Sequence, residues 1–390
     1  MISVQEALSQ VLALATPTAT EVVPLRDSHR RVLAAPVTAK RAQPPFATSV
    51  MDGYAVPTKT VVAGDTFEVV GESAAGHQFS GELSVGKAVR IFTGAAVPEG
   101  ALRVVIQEDV VRDGSTIHVQ PEFDTKLYIR ELGADFNVSD ELSAPRTLTS
   151  ADITLIAAMN VPEVTVHKRP IVALIATGDE LVMPGETPGS DQIVASNALG
   201  LAGLVEQAGG NARILPIAKD NEGSLHQAFD LARGADLIVT IGGASVGDHD
   251  LVGKVAKERG LERSFYKVAM RPGKPLMAGR IDGTALIGLP GNPVSSLVCG
   301  KIFMQPLIRA MCGDTSETTL RRPATLAHDI RSNGPREHYM RATLSGGTVS
   351  VADRQDSGLM SVLANANALV VRPPHDPARK AGEVVEVIEL

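Results

Sequence analysis

The sequence has few cysteines, few aromatic residues and no long apolar run, and each shortage excludes a class of protein. Its 390 residues include two cysteines, nine histidines, no tryptophan and 3% aromatic residues. Cys299 and Cys312 have no metal-ligand spacing, and the histidines are too scattered to predict a zinc site. We interpret the cysteines as buried thiols of a reducing compartment. Since no apolar run is long enough to cross a bilayer, we expect no membrane span.

A concentrated basic surface is also missing. The formal net charge is −7, and adjacent basic residues such as Arg30–Arg31 and Arg321–Arg322 form isolated pairs. Nucleic-acid binding needs a basic face, so we expect no nucleic-acid partner. The segment Met1–Leu14 predicts an amphipathic helix and lacks the basic region that begins a signal peptide. These features predict a cytoplasmic protein.

The chain is too long for one ordinary hydrophobic core. With 44% hydrophobic and 21% charged residues, its composition is globular and its length favours two to four domains. Short β-prone runs fill residues 55–120, buried strands alternate with helices from Pro170, and strand-like segments return from Ser316. These patterns predict an α/β multidomain fold with a central doubly wound parallel α/β domain. A β-rich N-terminal module should precede that domain, and a small C-terminal β-barrel, or a sandwich, should follow it.

Continuous apolar runs in the central region are typical of strands buried on both faces of a parallel sheet. Ile171–Ala176 is such a run, and further buried strands are predicted at Ile214–Ile217, Leu237–Ile241 and Ala285–Leu289. Helices are predicted near Leu225–Ala232, Leu251–Arg259 and Ser295–Met311, and Ser196 should cap another. Elsewhere, Asp113–Gly114 and Ser345–Gly347 each predict a tight hairpin turn.

Three of these strands end in loops that combine glycine with polar residues. The loops are Thr177–Glu180, Gly242–Asp250 and Pro290–Ser296. Because ligands of an open α/β sheet bind beyond the carboxyl ends of its strands, the three loops should surround one site. Each loop alone could also be an ordinary glycine turn. The candidate binding residues are Gly178, Asp179, Gly242, Gly243, Ser245, Gly247, Asp248, Gly291, Asn292 and Ser295.

The predicted ligand of this site is a phosphate or pyrophosphate bridged by magnesium. Glycine loops expose backbone N–H groups, and the following helices direct their positive dipole ends to the same place. Yet these loops also carry Asp179, Glu180, Asp248 and Asp250, and Asp220 follows the second strand. Carboxylates repel phosphate unless a cation lies between them. Mg²⁺ commonly binds one or two carboxylates together with substrate phosphate oxygens.

Three other segments have more than one interpretation. The segment Arg271–Pro275 offers two cations, Arg271 and Lys274, that could hold an oxyanion, but it could also be a basic turn before a strand. Asp52–Gly53 is ordinarily a hairpin turn. Phe92–Ala95 by itself is an ordinary strand end.

In combination, six segments resemble the molybdopterin molybdenumtransferases, which comprise the bacterial MoeA type and its eukaryotic counterpart, the gephyrin E domain. Each segment is weak alone, but their order and spacing are specific, and the resemblance covers nearly the whole chain. They are Ser49–Val56, Phe92–Ala95, Thr177–Leu181, Gly242–Asp248, Pro272–Pro275 and Gly288–Pro293.

The resemblance implies four domains, a reaction and an assembly. The domains would be residues 1–53 with 125–168 (helical and mixed, discontinuous), 54–124 (β-rich, inserted), 169–315 (α/β, molybdopterin-binding) and 316–390 (β-barrel). The reaction uses adenylylated molybdopterin and molybdate as substrates, releases AMP and leaves molybdenum on the dithiolene. The assembly is a homodimer with its active site between the subunits, and the molybdopterin adenylyltransferase is a candidate partner.

The resemblance also assigns roles to individual residues. It implies catalytic roles for Asp52, Thr93, Glu180 and Asp250, and Mg²⁺ binding by Glu180, Asp220 and Asp250. Further ligand-binding positions are Asp135, Asp220, Arg271, Lys274, Pro290 and Pro293. Where Arg271 stands, the family commonly has lysine, so the charge is kept but the geometry differs.

Two other functions compete with this interpretation. A molybdopterin adenylyltransferase resembles the same α/β domain, but it lacks the Met51–Tyr54 block and a C-terminal β domain. A gephyrin-like scaffold would keep the fold for protein binding. Such a scaffold is expected to have long linkers or docking tails, which this chain lacks, and it would not need the acidic loop residues.

Overall fold

The computed structural model describes residues 1–243, 251–314, 316 and 321–390. The first helix, Val4–Leu12, begins where the Ser3 side chain accepts the N–H of Glu6. Its buried face, which includes Val11, packs into the core of the central α/β region. No helix in the described ranges combines the length and apolar character needed to cross a membrane.

The β-rich N-terminal region contains a six-stranded sheet. In spatial order its strands are Arg103–Ile106, Gly53–Val56, Lys87–Ile91, Thr66–Ser73, Thr116–Val119 and Val110–Asp113. The last two form the predicted hairpin, with Gly114 at a φ of 57° in its turn. The buried side chains of this sheet form its own hydrophobic clusters.

Smaller sheets join segments that precede and follow residues 54–124, and the helix Ser150–Ala158 shares a hydrophobic cluster with two of them. A four-stranded sheet has the order Thr20–Pro24, Glu163–His167, Val32–Leu33 and Arg146–Thr147, and two-stranded pairs join Thr48–Ser49 to Ile129–Arg130 and Val37–Thr38 to Glu141–Leu142. Thr149 and Asp152 form a reciprocal capping box at the start of the helix. Sequence-distant segments on both sides of residues 54–124 are therefore held together.

The central region is confirmed as an α/β sheet with helices on both faces. The spatial order of its strands is Asn211–Ile214, Ile171–Ala176, Leu237–Ile241, Thr284–Leu289, Met277–Ile281 and Glu262–Tyr266. The first four are parallel, as predicted. The last two are antiparallel and extend the sheet, so it is mixed rather than wholly parallel.

The predicted strand Ile214–Ile217 was misplaced. The observed edge strand is Asn211–Ile214, and it pairs with Ile171–Leu174. Pro216 lacks a backbone N–H, so it cannot continue the ladder of hydrogen bonds.

The helices of this region are Asn197–Gln207, Glu222–Leu231, Leu251–Glu258, Pro293–Cys299 and Gln305–Met311, with a π-helical segment, Gly300–Met304, between the last two. Sequence analysis predicted one continuous helix there. The π-helical segment ends at Met304, two residues before Pro306. Pro306 has no N–H for the usual helical bond, so the widened turn accommodates the proline.

The C-terminal region is the predicted barrel. Five strands close on themselves in the order Glu337–Ser345, Thr348–Val351, Arg322–Leu326, Val384–Glu389 and Ala368–Arg372. The predicted turn at Gly346 and Gly347 joins the first two. A short helix, Met360–Ala364, precedes the strand Ala368–Arg372 in the chain. The strand Met270–Arg271 pairs with Glu337–His338, which ties the α/β region to the barrel.

Candidate functional site

The loops after three parallel strands meet at one edge of the central sheet. Thr177 donates its N–H to the carbonyl of Ile241 at 3.1 Å, and Gly242 donates to Leu289 at 3.1 Å. Gly242 has a φ of 88°, and a Cβ added to it would lie 3.1 Å from the Thr177 carbonyl oxygen. The glycine therefore permits both the left-handed backbone and the close approach of the neighbouring loop.

A cavity of about 120 Å³ opens at these strand ends. Thr177, Ile241 and Pro293 line it together with Asn197, at the start of a helix. The Asn197 side chain donates to the carbonyl oxygen of Gly291 at 2.7 Å. Asn197 was not predicted as a site residue, although its position beside the cap residue Ser196 was a signal for it.

The Pro290–Ser296 loop contacts the C-terminal region. Asn292 Nδ2 donates to Ser357 Oγ at 3.2 Å, and the N–H of Val294 donates to the Ser357 carbonyl at 3.2 Å. Pro290 and Gly291 precede Asn292 in this loop, Pro293 begins the helix, and Ser295 is buried in its first turn. Ser196 stands at the predicted cap position, but its hydroxyl contacts Met360 Sδ at 3.5 Å instead of capping the helix.

The carboxylates of Asp179, Glu180 and Asp220 lie close to one another at the same edge of the sheet. Gly178 donates its N–H to Ala218 at 3.1 Å, which brings the first two strand ends together. Asp179 Oδ1 then accepts the N–H of Asp220 at 3.2 Å. Loss of hydration, followed by the negative charges of Asp179 and Glu180, raises the pKa of Asp220. Such mutual repulsion is relieved when a cation binds.

The predicted loop residues Ser245, Gly247, Asp248 and Asp250 lie outside the described residues. Gly243 is the last described residue before them, with a φ of 67°. Within the described ranges, no group of three or more carboxylate, histidine or cysteine side chains could by itself hold a metal ion. The Asp179, Glu180 and Asp220 group is therefore not a complete ligand set.

The Arg271–Pro275 segment forms a compact loop with two exposed cations. The N–H of Val268 donates to the Lys274 carbonyl at 3.1 Å, and both Arg271 and Lys274 are exposed. Arg271 also lines a cavity at the barrel with the buried His338. Burial, reinforced by Arg271 and other arginines, lowers the pKa of His338 to about 4. The imidazole is therefore neutral at physiological pH, and the charge around it belongs to the arginines.

Asp52 and Thr93 form a second constellation in the β-rich region. Asp52 Oδ1 accepts hydrogen bonds from Thr93 N at 2.8 Å and from Thr93 Oγ1 at 2.7 Å. These two bonds, with a smaller contribution from Arg90, lower the pKa of Asp52. The hairpin interpretation of Asp52–Gly53 is wrong. Gly53 begins the strand Gly53–Val56 of the β-rich sheet, and that strand pairs with Lys87–Ile91 on one side and with Arg103–Ile106 on the other.

Asp135 belongs to neither constellation by direct contact. It is exposed, and its N–H donates to the carbonyl of Gln43 at 2.9 Å. Across the described parts of the chain, no hydrogen bond or ion pair connects Asp52, Thr93 or Asp135 with the strand-end loops. The predicted residues thus fall into separate groups within one subunit.

Protein-family comparisons cover the three regions of the chain. Residues 2–160 match the MoeA N-terminal region (domain I and II), residues 173–310 match a probable molybdopterin binding domain, and residues 323–390 match the MoeA C-terminal region (domain IV). A protein that consisted of the α/β domain alone would not be expected to match the N-terminal and C-terminal models.

Similar proteins extend over most of the chain. The molybdopterin molybdenumtransferase of a Nostoc species is 35% identical over 393 residues, covering 95% of this chain and 89% of its own. The Haemophilus influenzae protein of the same name is 36% identical over 317 residues, covering 80% and 78%.

Two solved structures of the molybdopterin biosynthesis MoeA protein from Pyrococcus horikoshii have the same architecture. One has a TM-score of 0.83 and 28% identity, covering 100% of this chain and 99% of its own. The other has a TM-score of 0.86 and 26% identity, covering 100% of both chains. With matches in all three regions and along nearly the full length, the chain belongs to the MoeA family of molybdopterin molybdenumtransferases.

Proposed function

We propose that this protein inserts molybdenum from molybdate into adenylylated molybdopterin and releases AMP, the last step of molybdenum cofactor biosynthesis. The observation that carries the proposal is the meeting of glycine loops and carboxylates at the edge of the central sheet, beside Asn197 and Gly291. This arrangement is suited to a phosphate-linked substrate. The name of the relatives, molybdopterin molybdenumtransferase, supports a molybdopterin-type substrate and the transfer of molybdenum.

In this proposal, the strand-end loops hold the diphosphate that joins AMP to the pterin. The N–H groups of Gly178 and Gly242 donate to Ala218 and Leu289, so the backbone N–H groups of the residues that follow them, and those around Gly291, would donate to phosphate oxygens. Asn197 keeps Gly291 in place through its hydrogen bond to the carbonyl. Arg271 and Lys274, exposed on their loop, would bind the molybdate oxyanion through charge and hydrogen bonds.

The acidic residues fit a bound Mg²⁺. Asp179, Glu180 and Asp220 repel one another, as the raised pKa of Asp220 indicates, and a divalent cation would relieve that repulsion. We propose that Glu180 and Asp220 bind it together with Asp250 and substrate phosphate oxygens. When bound, Mg²⁺ would neutralise charge at the diphosphate and stabilise the departing phosphate of AMP.

Asp52 would act on the incoming oxyanion. Its Oδ1 is fixed by both donors of Thr93, and in the described residues Oδ2 has no hydrogen-bond partner. A carboxylate held in this way can accept a proton or orient a hydrated oxyanion. The exposed carboxylate of Asp135 would provide a further polar contact to the substrate.

We further propose a homodimer whose active site combines residues of both subunits. Support comes from the lack of any described contact between the Asp52–Thr93 pair and the strand-end loops of the same subunit. Mixing inactive Asp52→Asn and Asp220→Asn dimers under subunit exchange should restore about a quarter of wild-type activity, because half the dimers then contain one intact site. A wild-type protein that is active as a monomer would contradict this arrangement.

The cytoplasmic location, and the molybdopterin adenylyltransferase as a partner that delivers the substrate, remain predictions.

The reaction is tested by measuring AMP release from adenylylated molybdopterin. We expect release only when molybdate and a divalent cation are both present, and loss of release in EDTA or in Asp52→Asn. Asp27→Asn, a change at an exposed surface aspartate, is the matched control. Equal release in EDTA would contradict the magnesium assignment. Consumption of ATP to load AMP would instead identify an adenylyltransferase.

A further inference from the structure

Arg90 lies beside the Asp52–Thr93 pair, and its side chain crosses a neighbouring strand. In the antiparallel pairing of Lys87–Ile91 with Gly53–Val56, Arg90 is directly opposite Tyr54. Its guanidinium donates to the Gly53 carbonyl oxygen at 3.2 Å and to Gln107 Oε1 at 2.6 Å. Arg90 thus connects its own strand to Gly53, which follows Asp52, and to Gln107, which follows the strand Arg103–Ile106.

Two aromatic rings hold the guanidinium in place. Its central carbon lies 5.0 Å from the ring centroid of Tyr54 and 4.8 Å from that of Phe92. Both distances are within the range of cation–π attraction. Phe92 immediately precedes Thr93, which donates both hydrogen bonds to Asp52. The contact with Phe92 therefore restrains the donor side of the Asp52–Thr93 pair.

Asp52, which accepts these hydrogen bonds, is restrained as well. The N–H of Gln107 donates to the carbonyl oxygen of Asp52 at 3.0 Å, and the side chain of the same glutamine accepts from Arg90. Arg90 therefore contacts groups on both sides of the Asp52 carboxylate: Gly53 and Gln107 on one side, Phe92 on the other. Lysine could supply the charge but not the planar donors that reach two acceptors between two rings.

We propose that Arg90 is a positioning residue that fixes the Asp52 carboxylate and Thr93 relative to each other for the oxyanion chemistry of this site. The inference rests on the proposed function, since it assigns Asp52 a role in that reaction. Arg90 need not touch substrate. Its contribution is to keep the Asp52 backbone and the Thr93 donors in one arrangement.

The test compares Arg90→Met and Arg90→Lys with wild type. We expect Arg90→Met to lower kcat for AMP release by about tenfold or more with little change in KM, and Arg90→Lys to recover only part of the loss. Added guanidinium ion should partly rescue Arg90→Met. Arg112→Gln is the control, because Arg112 lies in the same sheet and, among the described residues, its side chain donates only to the nearby Gly114 carbonyl. Wild-type kcat in Arg90→Met would overturn the proposal.

A second readout does not depend on the reaction. Titration of the Asp52 carboxyl carbon by NMR, assigned with Asp52→Asn, should give a higher pKa in Arg90→Met than in wild type. Removal of Arg90 takes away a positive charge and loosens the Thr93 hydrogen bonds, and both changes favour the protonated acid. An unchanged Asp52 pKa in a folded Arg90→Met protein would overturn the positioning role. If wild type lacks insertion activity while this shift occurs, the proposed function fails, and what stands is that Arg90 holds the Asp52–Thr93 pair, without a role in that reaction.

Discussion

Thr93 donates two hydrogen bonds to one oxygen of Asp52, from its backbone N–H at 2.8 Å and from its hydroxyl at 2.7 Å. Both bonds favour the ionised carboxylate and lower the pKa of Asp52. The two residues are 41 positions apart in the chain, so this pair depends on the pairing of their strands. Among the described residues the second carboxylate oxygen of Asp52 has no hydrogen-bond partner, so it is available to a ligand.

Loss of the Thr93 hydroxyl should therefore impair turnover. We predict that Thr93→Val lowers kcat about tenfold, the effect of roughly 1.4 kcal/mol in the barrier, while Thr93→Ser stays near wild type. Steady-state AMP release measures both. Thr58→Val is the control, since the Thr58 hydroxyl donates to the Thr60 carbonyl in an exposed turn. If the Thr93 and Thr58 valine variants were equally active, the Asp52–Thr93 bond would have no role in turnover.

The hydrogen bond from Asn197 to Gly291 should control substrate affinity. We predict that Asn197→Ala weakens binding of adenylylated molybdopterin about tenfold, because the Gly291 carbonyl loses its donor and the loop loosens at the cavity. Equilibrium binding measured by titration calorimetry checks this prediction. Asn211→Ala, an exposed change at the amino end of the edge strand, should bind normally. Equal affinity for the two variants would mean that Asn197 only supports its helix.

Gly243 should tolerate no side chain. Its φ is 67°, and an added Cβ would lie 2.2 Å from Val252 Cγ2 and 3.0 Å from Thr177 Oγ1. Gly234 has a similar φ of 77°, but nothing lies within 4 Å of its Cβ position. We predict that Gly234→Ala lowers the free energy of unfolding by about 1–2 kcal/mol, the left-handed backbone cost alone. Gly243→Ala should lose about 1–3 kcal/mol more, because the overlap is added. If both variants lost the same free energy of unfolding in urea denaturation, the close contact of Gly243 with Val252 would be contradicted.

His338 should make the barrel sensitive to acid. Its pKa in the folded protein is about 4, against an ordinary value of 6.5. Between these values the unfolded chain takes up a proton that the folded chain does not, so stability falls as the pH is lowered from about 6.5 to 4. The full loss is roughly 3 kcal/mol. Hydrogen exchange of strand Glu337–Ser345 should show this slope in wild type, and a much smaller slope in His338→Gln. Identical slopes would assign the acid sensitivity to other groups.

Strands buried on both faces were the most predictable part of the fold. Ile171–Ala176 and Leu237–Ile241 were predicted to the residue, because short, almost wholly apolar runs are typical of strands covered on both faces of a parallel sheet. The antiparallel strands were not predicted. Glu262–Tyr266 begins with charged and polar residues at the edge of the sheet, and Met277–Ile281 is interrupted by Gly279 and Arg280.

The site was predictable where its residues follow strands and unpredictable where distant segments meet. Glycine and carboxylates after buried strands indicated Gly178, Asp179 and Gly242. The contact of Ser357 with Asn292 spans 65 positions and has no local signal. The stacking of Arg90 on Tyr54 and Phe92 likewise depends on strand register, and a lone arginine in a strand does not reveal it.

The central claim is most directly tested by the stoichiometry of one turnover. The measurement combines enzyme with adenylylated molybdopterin, molybdate and Mg²⁺, then determines the AMP released and the molybdenum bound to the isolated pterin by mass spectrometry. We predict one molybdenum transferred for each AMP released, and neither product with Asp52→Asn. AMP released without molybdenum on the pterin would show a hydrolase and contradict the account.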